Sequence, residues 1–124
     1  MLNLLLVMTG GAIGAGLRYG VSLAVPPAGG LFPWATLIVN MVGGLGAGLL
    51  LGLLVVQGSS AEPYRLLLGV GLLGGFTTFS AFSAETAGMI QNGQLALALV
   101  YVSASVAGAV VLLFSGLWLA RAAS

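Results

Sequence analysis

Hydroxyl groups, phenyl rings and glycines are concentrated in one short segment, GGFTTFSAFSAE, which spans residues 74–85. Its small and hydroxyl-bearing residues are Gly74, Gly75, Thr77, Thr78, Ser80 and Ser83. An isolated hydroxyl inside a helix bonds to the carbonyl four residues earlier and needs no further role. The density here instead predicts a helix that breaks, because paired glycines remove side-chain bulk where the backbone bends. A break inside an apolar region exposes carbonyls, which is tolerated only where a ligand or water reaches them.

Two aromatic residues, Phe79 and Phe82, stand among these hydroxyls. They are three residues apart, so they share one helix face. Aromatic residues in such a helix usually face lipid or the core. A phenyl ring also carries a positive edge, and an anion passing that edge would be stabilised without a formal charge that traps it. The interleaving of rings with hydroxyls therefore favours an anion path beside them.

Further polar residues occur before and after this segment. Thr36 and Asn40 are four residues apart, as are Tyr101 and Ser105, so each pair shares one helix face. A buried asparagine in a membrane usually bonds helix to helix, although its amide donors would also suit an anion. Both interpretations of Asn40 stay open, and for Tyr101 and Ser105 packing between helices is the default interpretation.

The composition excludes most soluble functions. The chain has 124 residues, of which 60% are hydrophobic and 4% are charged, whereas a soluble domain carries about 25% charged residues. It contains no lysine, so nucleic-acid binding has no electrostatic basis. It also lacks cysteine and histidine, which removes thiolate nucleophiles and the usual zinc ligands. Two distant carboxylates are a poor start for acid–base catalysis, and we therefore predict a membrane protein that is not an enzyme.

Four membrane helices fit the sequence. A bilayer core of about 30 Å requires about 20 apolar residues per helix. Such stretches occur at residues 2–25, 34–56, 63–90 and 95–120, within one transmembrane domain that spans residues 1–124. The predicted fold is an all-α membrane protein with four transmembrane helices per subunit, the third of which is broken near its middle.

The distribution of arginine gives only a weak orientation signal. Four spans put both termini on one side of the membrane, together with Arg65 and Arg121, whereas Arg18 lies toward the other side. Two against one is a small bias under the positive-inside rule, so insertion in both orientations is expected. Glycine supplies 21 residues, many of them at the small-xxx-small spacing that lets helix backbones touch. This spacing predicts a compact protein that forms an oligomer.

Arg18 lies inside the first helix, past the middle of the membrane, and Glu85 lies toward the same side. Ionisable residues at such depth require a partner or a route to water. Either the two residues pair with one another, or Arg18 forms a vestibule that attracts anions. The sequence leaves both alternatives open.

The segment GGFTTFSAFSAE resembles the signature of the Fluc/CrcB fluoride channels, whose members commonly read GGFTTFSTFS there. GGAIGAGLRYG in the first helix and NMVGGLGAG in the second are also similar to that family, as are the size and the four spans. The resemblance covers essentially the whole chain. It implies a passive, fluoride-selective channel in the lipid of the cell membrane that exports the ion and protects microbes from fluoride toxicity.

The resemblance further implies an antiparallel, dual-topology homodimer with two pores and a sodium ion at its centre. The backbone carbonyls of Gly74 and Thr77 would hold the sodium ion. The fluoride pore would be formed by Asn40, Phe79, Ser80, Phe82, Tyr101 and Ser105, with Arg18 in the vestibule. Two residues depart from the family pattern: Ala81 replaces a threonine, and Ala109 shortens the polar track of the fourth helix. The coordination of the ion is therefore expected to differ in detail.

Two other functions compete with the channel. A proton-coupled exporter of the small multidrug resistance type also has four short helices, but it needs a membrane carboxylate early in the chain, and the first helix has none. A non-conducting scaffold packed through its glycines would leave Asn40, Thr77 and Ser80 without a task.

Overall fold

The computed structural model describes residues 1–26, 32–55 and 57–123, and these fold into helices. The first two are α1, Leu2–Ala24, and α2, Trp34–Leu54. The third span consists of α3, residues 62–76, and α4, Ser80–Gln91, and the last is α5, Leu95–Ala123. Four spans are long and apolar enough to cross a membrane, with Glu62–Gln91 counted as one. The prediction of an all-helical chain with four membrane-capable helices and a bent third helix is confirmed.

The ends of the helices differ slightly from the predicted ranges. Helix α1 ends at Ala24 rather than residue 25, and α5 continues to Ala123 rather than ending at residue 120. Residue 56, where the second helix was predicted to end, lies outside the described residues. Gly93 adopts a positive φ of 75° in the turn between α4 and α5, a conformation that glycine accepts at low cost. This turn makes α4 and α5 a helical hairpin.

Glycines allow α1 and α3 to pack with their backbones in contact. A Cβ atom on Gly10 would collide with the carbonyl oxygen of Leu67, and one on Gly14 would collide with that of Leu72. From the other side, a Cβ atom on Gly71 would lie 2.8 Å from the carbonyl oxygen of Val7. The contacts advance in the same direction along both helices, so α1 and α3 run parallel.

The second close pair consists of α2 and α5, which are also parallel. A Cβ atom on Gly44 would lie 2.7 Å from the carbonyl oxygen of Ala109, and one on Gly48 would collide with that of Leu113. Gly116 approaches α2 in the same way from α5. The small-xxx-small faces that include Gly10 and Gly14, and Gly44 and Gly48, are therefore contact surfaces within the chain, whereas a Cβ atom on Gly16 or Gly20 would meet nothing within 4 Å.

Most of α3 is wider than an α-helix. Residues Arg65–Leu73 form a π-helix. At its end, the amide of Gly74 donates to the carbonyls of Gly69 and Gly71. Such segments are rare and occur often at functional sites. This one ends immediately before the single turn Gly74–Phe76 that leads into the break. The sequence did not predict it.

A small core lies between α2, α4 and α5. Tyr101 is at its centre with 0% of its surface exposed, and Leu37, Met89 and Ala98 are buried around it. The ring of Phe82 packs against Tyr101 from α4. This core holds α4 against the α2–α5 pair and so fixes the position of the segment that follows the break.

Candidate functional site at the helix break

The third span leaves the helical conformation at Thr77, whose φ of −79° and ψ of 156° are extended. Helix resumes at Ser80, so residues 77–79 form the break. Gly74 is still helical, with φ of −62° and ψ of −38°. The sequence predicts a break formed by the glycines and the first threonine, and the structure places it at the threonine, with the paired glycines still helical before it. Gly75 serves close packing instead, because a Cβ atom on it would collide with the carbonyl oxygen of Gly11.

The break diverts two backbone amides away from their helical partners. In an uninterrupted helix the amides of Thr78 and Ala81 would donate to the carbonyls of Gly74 and Thr77. Here the Thr78 amide donates to Asn40 Oδ1 at 2.9 Å, and the Ala81 amide donates to Thr78 Oγ1 at 3.1 Å. The two carbonyls that the family resemblance assigns to sodium thereby lose their helical donors.

Asn40 on α2 clamps the middle residue of the break. Its Oδ1 accepts from the Thr78 amide, and its Nδ2 donates to the Thr78 carbonyl at 3.1 Å. Both backbone groups of Thr78 are thus satisfied by one side chain from another helix. The interpretation of Asn40 as a link between helices is correct as far as these two bonds go. An asparagine amide has two N–H donors, so a second donor remains beyond the one that Thr78 uses.

The hydroxyl groups of the segment have different surroundings. Thr77 Oγ1 donates to the Leu73 carbonyl at 2.8 Å, which is the ordinary bond inside a helix. Thr78 Oγ1 lies 3.3 Å from Ser80 Oγ, and the Ser80 side chain is exposed. The hydroxyl of Thr77 therefore contributes to local structure, and that of Ser80 is accessible.

Phe79 and Phe82 are neighbours with unlike surroundings. Their ring centroids are 5.8 Å apart. Phe79 is the last residue of the break and is 79% exposed. Phe82 lies in the first turn of α4, with its ring centroid 5.1 Å from that of Tyr101. The two rings form a pair, but only Phe82 is supported by the core.

Tyr101 bonds to a residue that the sequence analysis did not connect with it. Its hydroxyl donates to Glu85 Oε1 at 3.4 Å, and Thr36 lies beside both groups. Glu85 and Tyr101 stand at matching distances on either side of the turn around Gly93. A prediction from the sequence that the two helices form a hairpin closed at Gly93 would have included the contact between Glu85 and Tyr101.

Ser105 has a buried hydroxyl group without a hydrogen-bond partner among the described residues. The residue is 5% exposed. Leaving a buried hydroxyl unsatisfied costs about 1–3 kcal/mol. A ligand or water that accepts from this hydroxyl would remove the cost.

A groove of about 510 Å³ brings most of these groups together between α2, α3 and α5. The predicted site residues on its surface are Asn40, Gly74, Thr77, Phe79, Phe82 and Ser105. Ser80, Tyr101 and Arg18 are not on that surface, whereas Ala109 is. None of the described residues on the surface of the groove is charged. The groove is thus mostly apolar, with neutral polar side chains such as those of Asn40, Thr77 and Ser105, and its described residues supply no acid or base.

Arg18 contacts the end of α3. Its Nε donates to the Gly75 carbonyl at 3.2 Å. Within the described residues, a salt bridge joins Arg65 Nε to Glu62 Oε2 at 2.8 Å. The alternative in which Arg18 pairs with Glu85 is therefore not seen in the described residues.

Comparison with known proteins gives matches over nearly the whole chain. Residues 5–117 match the family described as CrcB-like protein, Camphor Resistance (CrcB). A relative from Chelativorans sp. (strain BNC1), named fluoride-specific ion channel FluC, is 52% identical over 98% of both chains. Relatives of the same name from Mesorhizobium japonicum and Sphingopyxis alaskensis are 47% and 50% identical. The first of these two matches over 98% of both chains, and the second over 98% of this chain and 97% of its own.

Proposed function

This chain belongs to the CrcB family, and from that premise we propose that it is a fluoride-specific ion channel through which fluoride leaves the cell passively. It is a multi-pass protein of the cell membrane. Passive export lowers the concentration of fluoride in the cytoplasm and so reduces its toxicity. An ion channel performs no chemical reaction, so the absence of catalytic constellations in the sequence fits this function.

The observation that carries the proposal beyond family membership is the unpartnered hydroxyl of Ser105 on the uncharged surface of the groove. Fluoride is small and strongly hydrated, so a path for it must replace water with close donors, and pore lining is the general basis of selectivity. Ser105 offers one such donor, and Asn40 offers the amide hydrogen that Thr78 does not use. We assign both to the fluoride path.

Phe79 and Phe82 extend the path with ring edges, which carry partial positive charge. Ser80 and Tyr101 supply hydroxyls near the two ends of this ring pair. Tyr101 would have to exchange its bond to Glu85 for one to the ion. Ala81 and Ala109 contribute no donor, so the path depends on fewer hydroxyls than the family pattern has.

Fluoride efflux from liposomes tests the function. With the protein reconstituted and a potassium diffusion potential imposed, we expect fluoride to leave at the same rate with and without a pH gradient. Chloride should be retained. A requirement for the pH gradient would support the proton-coupled exporter instead. Absence of flux from folded, inserted protein would support the scaffold.

We infer that the functional unit is an antiparallel homodimer. The groove is open on one side, and Phe79 stands at its surface with most of its ring uncovered. A second copy in the opposite orientation would cover this surface and complete two paths. The small arginine bias supports dual insertion, and the single-chain core around Tyr101 is small for a membrane bundle.

Cross-linking distinguishes an antiparallel from a parallel dimer. The chain has no cysteine of its own, so Gln57→Cys and Gln91→Cys can be made singly. Both residues are exposed, and Gln57 follows α2 whereas Gln91 ends α4. Because successive spans alternate in direction, the two residues lie on opposite sides of the membrane within one chain. In a mixture of both variants, we expect a long thiol linker to join Gln57→Cys chains to Gln91→Cys chains. Links only between chains of the same variant would contradict the antiparallel arrangement.

A sodium ion at the centre of this dimer is the cofactor that we propose. The carbonyls of Gly74 and Thr77, freed by the break, would hold it, and a two-fold axis would bring together two from each chain. Hard oxygen ligands without a carboxylate favour a monovalent ion, and the described residues contain no cluster of acidic, histidine or cysteine ligands. Its charge would offset carbonyl dipoles that repel one another in a low dielectric.

Replacement of sodium tests this cofactor. Exchanging sodium for N-methylglucamine should lower both the dimer fraction in detergent and the fluoride flux, since an ion that binds only the assembled state stabilises it by mass action. Thr77→Ser is the matched control and should keep both properties, because the backbone carbonyl is the ligand. Equal dimer stability and flux in the two salts would refute the sodium site.

A further inference from the structure

We propose that Arg18 is a positioning residue that fixes the helix break through the carbonyl of Gly75. Gly75 is the second-last residue of α3, residues 62–76, so its carbonyl belongs to the last turn. Carbonyls in the last turn of a helix lack helical donors and carry the negative end of the helix dipole. The Nε of Arg18 donates to this carbonyl at 3.2 Å. The guanidinium therefore satisfies an otherwise orphaned acceptor and also places its charge at the favourable end of α3.

The face of α1 that carries Arg18 also contacts the backbone of the last turn of α3. A Cβ atom on Gly14 would lie 2.7 Å from the amide nitrogen of Phe76, and one on Gly75 would lie 3.0 Å from the Cα of Gly11. Gly11, Gly14 and Arg18 are three and four residues apart, so they form one stripe along α1. Backbone contact and one charged hydrogen bond thus act on the same turn of α3.

The break is consequently held from two sides. On one side α1 holds Gly75 through Arg18, and on the other side α2 holds Thr78 through Asn40. The residues between these two anchors include Thr77, whose extended torsions create the break. Holding the chain before and after Thr77 restricts the torsions of Thr77 and therefore the direction of its carbonyl.

This role differs from attraction of anions in a vestibule. Arg18 is not on the surface of the groove, and its Nε is engaged with a carbonyl. A vestibule charge acts through its formal charge at a distance, whereas a positioning residue acts through a donor at one place. The identity of the donor atom makes the two roles separable.

Substitution by glutamine or by lysine separates two properties of Arg18, the donor at the position of Nε and the positive charge. The Nε2 of glutamine is as many bonds from the backbone as the Nε of arginine, so Arg18→Gln keeps a donor at that place and removes the charge. Lysine has a methylene there and carries its donors one bond farther out, so Arg18→Lys keeps the charge and displaces the donor from that place. Arg18→Met has similar length and neither property.

The expected result in the efflux assay is the smallest loss of flux for Arg18→Gln, because glutamine keeps the donor and loses only the charge. For Arg18→Lys and Arg18→Met we expect about tenfold lower flux, the order that loss of one hydrogen bond to a charged group gives. The deficits should persist at high ionic strength, because screening affects a distant charge and not a hydrogen bond. Flux retained by lysine and lost by glutamine, or equal flux in all three variants, would overturn the inference.

A second measurement does not depend on fluoride conduction, on which the flux assay rests. Amide hydrogen exchange over residues 77–81 reports local opening of the break. We expect exchange there to be about tenfold faster in Arg18→Lys and Arg18→Met than in wild type or Arg18→Gln, with α5 unchanged. Failure of flux in the wild type alongside this exchange pattern would refute the proposed function and keep the positioning role. Unchanged exchange in all variants would refute the positioning role itself.

Discussion

Asn40→Asp is expected to abolish fluoride flux while the chain still inserts in the membrane. Asparagine donates from Nδ2 to the Thr78 carbonyl at 3.1 Å and accepts the Thr78 amide at 2.9 Å. Ionised aspartate keeps the acceptor but turns an oxygen toward the Thr78 carbonyl, where two acceptors repel. It also brings a negative charge to an uncharged surface that an anion must pass. Leaving a buried polar group unsatisfied costs about 1–3 kcal/mol, and more when the group is charged, so flux should fall by at least about a hundredfold.

The control for this substitution is Asn92→Asp, which makes the same chemical change in the exposed turn after α4. It should leave the rate of fluoride efflux unaltered. Fluoride efflux from matched amounts of liposome-inserted protein is the measurement. If Asn40→Asp conducts like the wild type, Asn40 lies off the ion path and its clamp on Thr78 is dispensable.

Gly48→Val is expected to prevent the α2–α5 pair from closing. Gly48 is buried, and a Cβ atom on it would collide with the carbonyl oxygen of Leu113 and lie 3.0 Å from the Cα of the same residue. Both obstacles are backbone atoms, so no side chain can move aside. Overpacking usually costs about 1–3 kcal/mol, and a backbone obstacle makes the upper end of that range, or more, the expectation. The measurement is the yield and thermal stability of monodisperse protein in detergent.

Gly16→Val is the matched control for the overpacked glycine. Gly16 lies within α1, and a Cβ atom on it would meet nothing within 4 Å. Both variants carry the same β-branched residue in a long helix, so differences in helix propensity cancel. Equal loss of stability in the two variants would mean that intrinsic propensity, and not close packing, explains the abundance of glycine.

The sequence was sufficient for the features that depend on composition and local pattern. Long apolar stretches predicted the spans, and the hydroxyls after Gly74 and Gly75 predicted that the third helix breaks. The break begins at Thr77 rather than at the glycines. Gly75 is instead needed for backbone contact with Gly11. Local sequence does not distinguish a glycine needed for bending from one needed for packing.

The partners of polar side chains could not be predicted in the same way. Asn40 and Thr78 are 38 residues apart, and Arg18 and Gly75 are 57 apart. Each contact depends on which helices pair and in what register, which is a property of the whole bundle. The π-helical stretch Arg65–Leu73 is also outside local prediction, since its residues have no pattern that separates a π-helix from an α-helix.

The parallel pairing of α1 with α3 and of α2 with α5 has a consequence for how the chain is made. Neither pair consists of neighbours in sequence, so no helix finds its close partner when the next helix emerges from the ribosome. Until α3 has been synthesised, α1 lies in the membrane with its glycine face uncovered. The Gly75 carbonyl that accepts from Arg18 has not yet been made at that stage. Contacts between distant segments also form slowly. We therefore expect assembly of the helix pairs to be a late step that follows insertion of all four spans.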